Sequence, residues 1–285
     1  MKAVQTIHSA LKDAAQLLQQ RSDSPQLDAE ILLAKILEKD RAYLRTWPEH
    51  EIKPELLTTF NHLVSLRQQG QPIAYLTGVR EFWSREFIVT PDVLIPRPET
   101  ELLVELSLTL IPKDKPYKLI DLGTGSGIIA ITLANERKNA KVTAIDSSEA
   151  ALQIAKTNAT LHNAERIEFY HSHWFNKIPT GKFDMVISNP PYVAASDPHL
   201  DEGDLCFEPL TALISGRDGL SDIKTIAESV HQYLNYGGHL LFEHGYNQQV
   251  EVQNLLYSLN FCNITTHVDL AGKPRVTMGQ YLPPK

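Results

Sequence analysis

The spacing of apolar positions changes character along the chain. Through residue 75, apolar residues recur at helical intervals: Ile7, Leu11, Leu17 and Leu18, then Ile31, Leu32, Ala34, Ile36 and Leu37, then Leu56, Leu57, Phe60, Leu63 and Val64. Steps of three and four residues place such side chains on one face of a helix. Pro25, Pro48 and Pro54 punctuate the stripes and Gly70-Gln71-Pro72 closes them, so residues 1–75 predict a small helical domain. Residues 81–96, EFWSREFIVTPDVLIP, are rich in aromatic and β-branched side chains and are interrupted at Thr90-Pro91-Asp92. They predict a β-hairpin linker, with bounds 76–96.

From Arg97 onward, apolar strands alternate with helical stretches. Tyr117–Leu122, Lys141–Asp146, Arg166–His171, Asp184–Ser188 and His239–Glu243 are strand candidates, and helices are expected to begin near Gly127, Ser147 and Asp218. This alternation predicts an α/β domain over 97–285, with a parallel sheet covered on both faces and ligands at the carboxyl ends of its strands. Two last strand candidates, Ile264–Leu270 and Arg275–Leu282, are joined by only four residues. That is too short for a crossover, so the pair should be antiparallel. No internal repeat or low-complexity tract interrupts the pattern.

Composition narrows the classes of function. The formal net charge of -7 argues against a nucleic-acid partner, because such binding rests on Lys and Arg at phosphates. The cysteines, Cys206 and Cys262, have no CxxC or CxxH company, which excludes a disulfide framework and a zinc site and suits a reducing, cytoplasmic setting. The first twenty residues lack the apolar segment of a signal peptide, and no apolar run is long enough to span a membrane. His171 and His173 alternate on a predicted strand but lack a third ligand, so no metal is expected.

The chemistry concentrates in two stretches. The first is LIDLGTGSGIIAITLA, residues 119–134: a strand, a turn of alternating glycines, then a helix. Gly123, Gly125 and Gly127 permit positive φ and a close backbone approach, with Thr124 and Ser126 between them. Nineteen residues after Gly127 the next strand ends in Asp146, suited to accept hydrogen bonds from both hydroxyls of a ribose. The G-x-G-x-G spacing departs from the dinucleotide fingerprint and favours S-adenosylmethionine; a dinucleotide and a purely structural turn remain as alternatives. Asp146 can equally serve as a helix cap ahead of Ser147 and Glu149.

The second stretch is Asn189-Pro190-Pro191-Tyr192, directly after a predicted strand. Proline fixes its own φ and pushes the preceding residue toward extended geometry, so the loop is stiff before anything binds. The Asn189 side-chain carbonyl and the Pro190 backbone carbonyl are two acceptors set side by side for a planar NH2 group, and Tyr192 can lie against the attached π system. As a methyl group moves to such a nitrogen, its N–H bonds become stronger donors, so these hydrogen bonds tighten in the transition state. On its own the motif could also be a strand-ending turn.

With both motifs in place, the chain resembles the HemK-type family of protein-(glutamine-N5) methyltransferases, which act on peptide chain release factors. The matching segments are DAEILL (28–33), PIAYLTGVREFWS (72–84), LIPRPETE (94–101), DLGTGSG (121–127), NPPY (189–192), FEPLTAL (207–213) and EHG (243–245). The resemblance implies a helical substrate-recognition domain, a hairpin linker, and a seven-stranded Rossmann-like class I methyltransferase domain. It implies that Gly123, Thr124, Gly125, Ser126, Gly127 and Asp146 hold S-adenosylmethionine, that Trp174 lies against its adenine, and that Asn189 faces both ligands. Asn189, Pro190, Pro191 and Tyr192 are implied to hold the glutamine of a Gly-Gly-Gln loop, with Asn189, Pro190 and Tyr192 in the catalytic role. A monomer without nucleic acid or membrane is the expected working form. Where the family commonly has Asp-Trp, this chain has His173-Trp174; a neutral imidazole, or a backbone carbonyl, can take the hydrogen bond from the adenine amine that the aspartate is expected to accept.

Two other readings stand beside this one. A nucleic-acid amino-methyltransferase acting on adenine would flip its base into the same loop. A non-catalytic adaptor would keep the fold as a scaffold, although the intact glycine loop, Asp146 and NPPY argue against decay. Elsewhere, Glu243-His244-Gly245 is expected to cap or pack, Arg97 and Glu99 to cover the cofactor or form a surface ion pair, and Phe82, Trp83 and Phe87 to pack between domains.

Overall fold

The computed structural model describes residues 5–282. The chain forms two compact units, one of residues through Val79 together with His199–Phe207, the other of Arg80–Pro198 and Glu208 onward.

The first unit is helical: α1 (Ile7–Leu18), α2 (Pro25–Leu37), α3 (Arg41–Thr46), α4 (Pro54–Gln68) and α5 (Ile73–Thr77). Each start has a local cause. Thr6 and Ser9 close a capping box at α1, and prolines occupy the first turn of α2 and α4, where the missing N–H costs nothing. The predicted stripes supply the core, with Ile7, Leu18, Leu32, Leu33, Phe60 and Val64 buried together. Asp28 and Glu30 are also buried in this unit. Arg67 Nε pairs with Asp28 at 2.8 Å, and Arg41 Nε donates to Glu30 at 2.9 Å. A second arm of Arg67 reaches Asp204 of the His199–Phe207 segment at 3.1 Å.

The second unit opens with a hairpin of β1 (Val79–Phe82) and β2 (Arg85–Ile88), whose two turn residues Trp83 and Ser84 have φ of 53° and 56°. Positive φ at both central positions matches the turn to the strands' right-handed twist. Phe82 and Phe87 meet edge to face, with centroids 6.2 Å apart. Expected to pack between domains, both instead join the core under the sheet with Leu103, Ile129 and Leu133.

The sheet is built from β3 (Tyr117–Leu122), β4 (Ala140–Asp146), β5 (Glu168–His171), β6 (Phe183–Ser188), β7 (Leu234–Glu243), β8 (Phe261–Val268) and β9 (Pro274–Tyr281). Its order is β5-β4-β3-β6-β7-β9-β8, parallel from β5 to β7; β9 is antiparallel to β8, as the short connection required, and also to β7. The helices are α6 (Thr100–Leu110), α7 (Ile128–Glu136), α8 (Glu149–Leu161), α9 (Ser221–Ser229) and α10 (Gln249–Ser258). Leu119 joins one apolar layer with residues of α6 and α7, while its neighbour Ile120 joins the other with residues of α9 and α10. The two-residue period of a strand thus feeds a core on each face.

Several boundaries differ from the sequence pattern. The apolar pattern does not mark helices α6 and α10 off from their surroundings, and β7 starts at Leu234 rather than 239 because a register irregularity beside β6 lets the ladder continue. β5 ends at His171, so His173 lies past the strand and the two histidines do not share a strand face.

Asn158 of α8 is fully buried and ties three pieces together: its Oδ1 accepts from Ile88 N at 2.8 Å, and its Nδ2 donates to Ile88 O at 3.0 Å and Ser126 O at 2.8 Å. Asn158→Ala strands those backbone groups, and each buried unsatisfied group costs about 1–3 kcal/mol. The expected outcome is a loss of at least about 2 kcal/mol in denaturant unfolding, far more than for Asn→Ala at an exposed position.

Candidate active site

Sheet register assembles the site. Leu122 of β3 pairs with Ile145 of β4 and with Ser188 of β6, and Ser188 pairs with Phe242 of β7. The residues that follow these four, Gly123, Asp146, Asn189 and Glu243, therefore emerge together at the carboxyl edge. The order of strands reverses at β3, which makes this edge the crevice where ligands bind in doubly wound sheets. The Ser188 hydroxyl, fully buried, donates to Leu122 O at 2.7 Å and locks the two central ends.

The three glycines of the loop do different work. All have positive φ (74°, 54° and 86°), which strains any L side chain. A Cβ on Gly127 would meet Ile131 Cδ1 at 2.9 Å and Ala155 Cβ at 3.2 Å, so this glycine lets α7 approach α8. At Gly123 a Cβ would meet the Trp174 ring at 3.3 Å; at Gly125 it would meet nothing within 4 Å. Asp146 holds the loop, accepting from Gly125 N at 2.8 Å through Oδ2 and from Ser148 N at 2.9 Å through Oδ1. The helix-capping role considered for Asp146 falls to Ser148, whose hydroxyl accepts from Ala151 N at 3.2 Å. Burial raises the Asp146 carboxyl above its ordinary range.

A cavity of about 470 Å³ opens at this edge. Gly123, Thr124, Gly125 and Ser126 line it, as do Asp146, Trp174, Asn189 and Pro191. Of the remaining sequence-predicted site residues, Gly127 is buried beneath the loop, and Pro190 and Tyr192 are not among the lining residues. Trp174, at a φ of 48°, donates from Nε1 to Asp222 Oδ1 at 3.2 Å, with exposed His173 beside it. Asp222, which also lines the cavity, carried no sequence signal beyond its place at the start of α9.

The asparagine is braced. Asn189 Nδ2 donates to Thr100 Oγ1 at 3.3 Å, and the residue lines the cavity. Tyr192 turns its hydroxyl to Glu243 Oε1 at 3.4 Å, and its backbone carbonyl accepts from Gln248 Nε2 at 3.0 Å. It therefore braces the loop without lining the cavity. Glu243, expected only to cap or pack, is thus in contact with the NPPY loop; burial pushes its carboxyl up to about 7. Arg97 is paired with buried Glu208, not with Glu99, and Glu208 Oε2 also accepts from Ile95 N at 2.9 Å. This pair joins LIPRPETE to FEPLTAL, two segments read separately in the sequence.

The lining suits a nucleoside-bearing cofactor with a positive sulfonium. The cavity lies in the size range of small-molecule sites. It combines an aromatic face, a partly buried carboxylate and a glycine whose missing Cβ leaves open space. Among the described residues no group of three His, Cys, Asp or Glu side chains is placed to hold a metal ion.

A seven-stranded sheet of this order, with a glycine turn after β3 and an acid closing β4, defines an S-adenosylmethionine-dependent methyltransferase of the Rossmann-like class. The family model "Methyltransferase small domain" matches residues 99–204. A methyltransferase structure from Pyrococcus furiosus superposes with a TM-score of 0.54 at 14% identity, covering 78% of this chain and 98% of that one. At the other end, the model "PrmC N-terminal domain" matches residues 9–78. Release factor glutamine methyltransferases of Vibrio cholerae and Escherichia coli are 47% and 41% identical, covering 97% and 95% of this chain and 97% of each relative. The chain belongs to the release factor glutamine methyltransferase family.

Asp121 gives the site a pH signature. Its carboxyl is fully buried, accepts from Thr124 Oγ1 at 2.6 Å, and is pushed by burial up to about 7. The native protein therefore holds a proton that the unfolded chain has released once pH exceeds about 4, the ordinary aspartate value. Stability falls as pH rises from that value to about 7. Asp121→Asn keeps an acceptor for Thr124 and removes the titration. Unfolding free energies at pH 5 and pH 8 should differ less for the variant than for the parent; Glu243 contributes the same sign in both.

Proposed function

We propose that this protein transfers a methyl group from S-adenosylmethionine to the side-chain amide nitrogen of the glutamine in the Gly-Gly-Gln loop of peptide chain release factors. The observation that carries the reading is Asn189, beside the glycine loop on the adjacent strand end and lining the cavity, with its Nδ2 engaged by Thr100. The full-length likeness to relatives of that name supports it.

In this reading Gly123, Thr124, Gly125, Ser126 and Asp146 hold the cofactor's nucleoside and amino-acid parts, and Trp174 lies against its adenine. The bound cofactor supplies an electrophilic methyl group. Asn189 Oδ1 and the Pro190 carbonyl accept the two N–H bonds of the glutamine amide, and Pro190 and Pro191 keep those acceptors fixed. An amide nitrogen is a poor nucleophile because its lone pair is shared with its carbonyl. As that pair is drawn into the new bond, the N–H groups become more acidic and their hydrogen bonds strengthen, which lowers the barrier selectively. Orientation supplies a second large part, about 7–11 kcal/mol for well-aligned reactants. The surplus proton leaves a strongly acidic nitrogen and needs no strong base.

The helical unit is read as the surface that recognises the release factor, with the hairpin as linker. The acidic balance, net charge -7, favours a protein substrate over a nucleic acid. A monomer working in the cytoplasm completes the reading; no helix among the described residues is long and apolar enough to cross a membrane.

Incubation with purified release factor and labelled S-adenosylmethionine, followed by mass mapping, tests it. Label should appear on the Gly-Gly-Gln glutamine. Label on DNA or RNA alone would transfer the substrate assignment to the nucleic-acid reading. Asn189→Ala should lower kcat by about 10²- to 10³-fold, as does loss of one transition-state partner elsewhere.

A further inference from the structure

The chain that follows β7 closes on Tyr192 at both ends of that residue. Glu243 Oε1 accepts from the Tyr192 hydroxyl at 3.4 Å, and Gln248, just before α10, donates from Nε2 to the Tyr192 carbonyl at 3.0 Å. Gln248 is only 7% exposed. Its Nε2 also donates to Gly219 O at 3.2 Å, while its Oε1 accepts from Gly245 N at 2.8 Å. All three partners are backbone groups, from the NPPY loop, the approach to α9 and the turn after β7.

Backbone partners settle the polarity of this amide. A carbonyl can only accept and an N–H can only donate, so the NH2 must face Tyr192 and Gly219 and the oxygen must face Gly245. Both amide hydrogens are thereby used, and the side chain has a single orientation. Gly219 completes the seat. Its φ is 74°, and a Cβ there would stand 2.3 Å from Tyr192 O and 2.7 Å from Gln248 Nε2. Val193, next along the loop, is held as well: its N–H donates to Leu213 O and its carbonyl accepts from Ser215 N, both at 2.9 Å.

A position fixed at Tyr192 O is felt at the start of the motif. Pro190 and Pro191 stand between it and Asn189, and because their φ angles are locked, a shift of the held carbonyl is passed along the loop rather than absorbed in it. Neither Gln248 nor Gly219 lines the cavity. We propose that Gln248 is a positioning residue for methyl transfer: its side-chain amide seats the Tyr192 carbonyl on the Gly219 turn and so fixes where the NPPY loop presents its acceptors. This rests on the reading of Asn189 Oδ1 and the Pro190 carbonyl as acceptors of the glutamine amide.

The test compares the parent with Gln248→Met and Gly219→Ala, using whole release factor and S-adenosylmethionine, and reads kcat beside the affinity and stoichiometry of cofactor binding by calorimetry. Gln248→Met keeps the length of the side chain and removes its hydrogen bonds; Gly219→Ala leaves Gln248 in place and crowds the same carbonyl. Gln248→Met should lower kcat by about 10²-fold, the cost of misplacing a reacting group, with cofactor affinity and stoichiometry those of the parent. A merely structural role would instead lose active molecules, so that kcat and stoichiometry fall together. Parental kcat in Gln248→Met, or a fall in kcat matched by the fall in stoichiometry, overturns the proposal. Should Gln248→Met melt below assay temperature, Gly219→Ala is held to the same two readouts. Should both melt, the parent decides: followed by NMR, the Gln248 side-chain NH2 should exchange with deuterium far more slowly than that of exposed Gln153, and equal exchange overturns the proposal. A parent that binds cofactor yet leaves the release-factor glutamine unlabelled refutes the substrate reading itself, a result separable from any change among the variants.

Discussion

The site depends on a fixed register between neighbouring strand ends, where the buried Ser188 hydroxyl donates to Leu122 O. Parallel strands reach a common edge only if their register is fixed, and a slip of one residue would turn every side chain to the opposite face. With Leu122 and Ser188 paired, the glycine turn and the asparagine leave the sheet as neighbours, 66 positions apart in sequence. The same register, carried through Ser188 and Phe242, brings Glu243 behind them. Neither loop needs to find the other, because the apolar pairing of β3, β6 and β7 does so. Leu119, Ile120, Met185, Val186, Ile187, Leu240 and Leu241 in those strands are fully buried, so the register is specified by the core itself.

Against that rigid frame the site carries several buried acids. Asp121 and Glu243 are held by burial near the pH at which they change charge, and Asp146 is raised as well. Burying each of these carboxyls carries a desolvation cost. Each also receives hydrogen bonds that orient something: Thr124 for Asp121, Gly125 and Ser148 N–H for Asp146, Tyr192 for Glu243. The acids thus convert burial into direction, and the stiff prolines of the NPPY loop keep that direction from being lost.

The parts legible in the sequence were those with a strong local cause. The near-continuous apolar runs of β3 and β4, and the four-residue connection between the last strands, allowed only one reading each. The glycine spacing and the prolines are backbone instructions and carry through directly to positive φ and a fixed loop. What escaped was made by distance. Thr100 reads as an ordinary first-turn residue, Glu208 as one acid in FEPLTAL, and Asn158 as a polar residue on a helix. Their significance comes from Asn189, Arg97 and Ile88, up to 111 positions away in sequence. α6 was missed because TELLVELSLTL is apolar on most of its surface and shows no clean stripe. Phe82 and Phe87 were misassigned because aromatic content does not say which core receives it.

The segment His199–Phe207 belongs with the helical unit although the chain on both sides of it belongs with the sheet unit. The polypeptide therefore passes from one unit to the other three times. A single nick after α5 would leave the two units still joined, and a chain shortened to begin at Arg80 would carry Asp204 without Arg67 and Phe207 without the Gly70 turn against which its ring lies. The helical part is stitched in rather than appended, so it cannot be exchanged for another domain by a simple fusion at one seam.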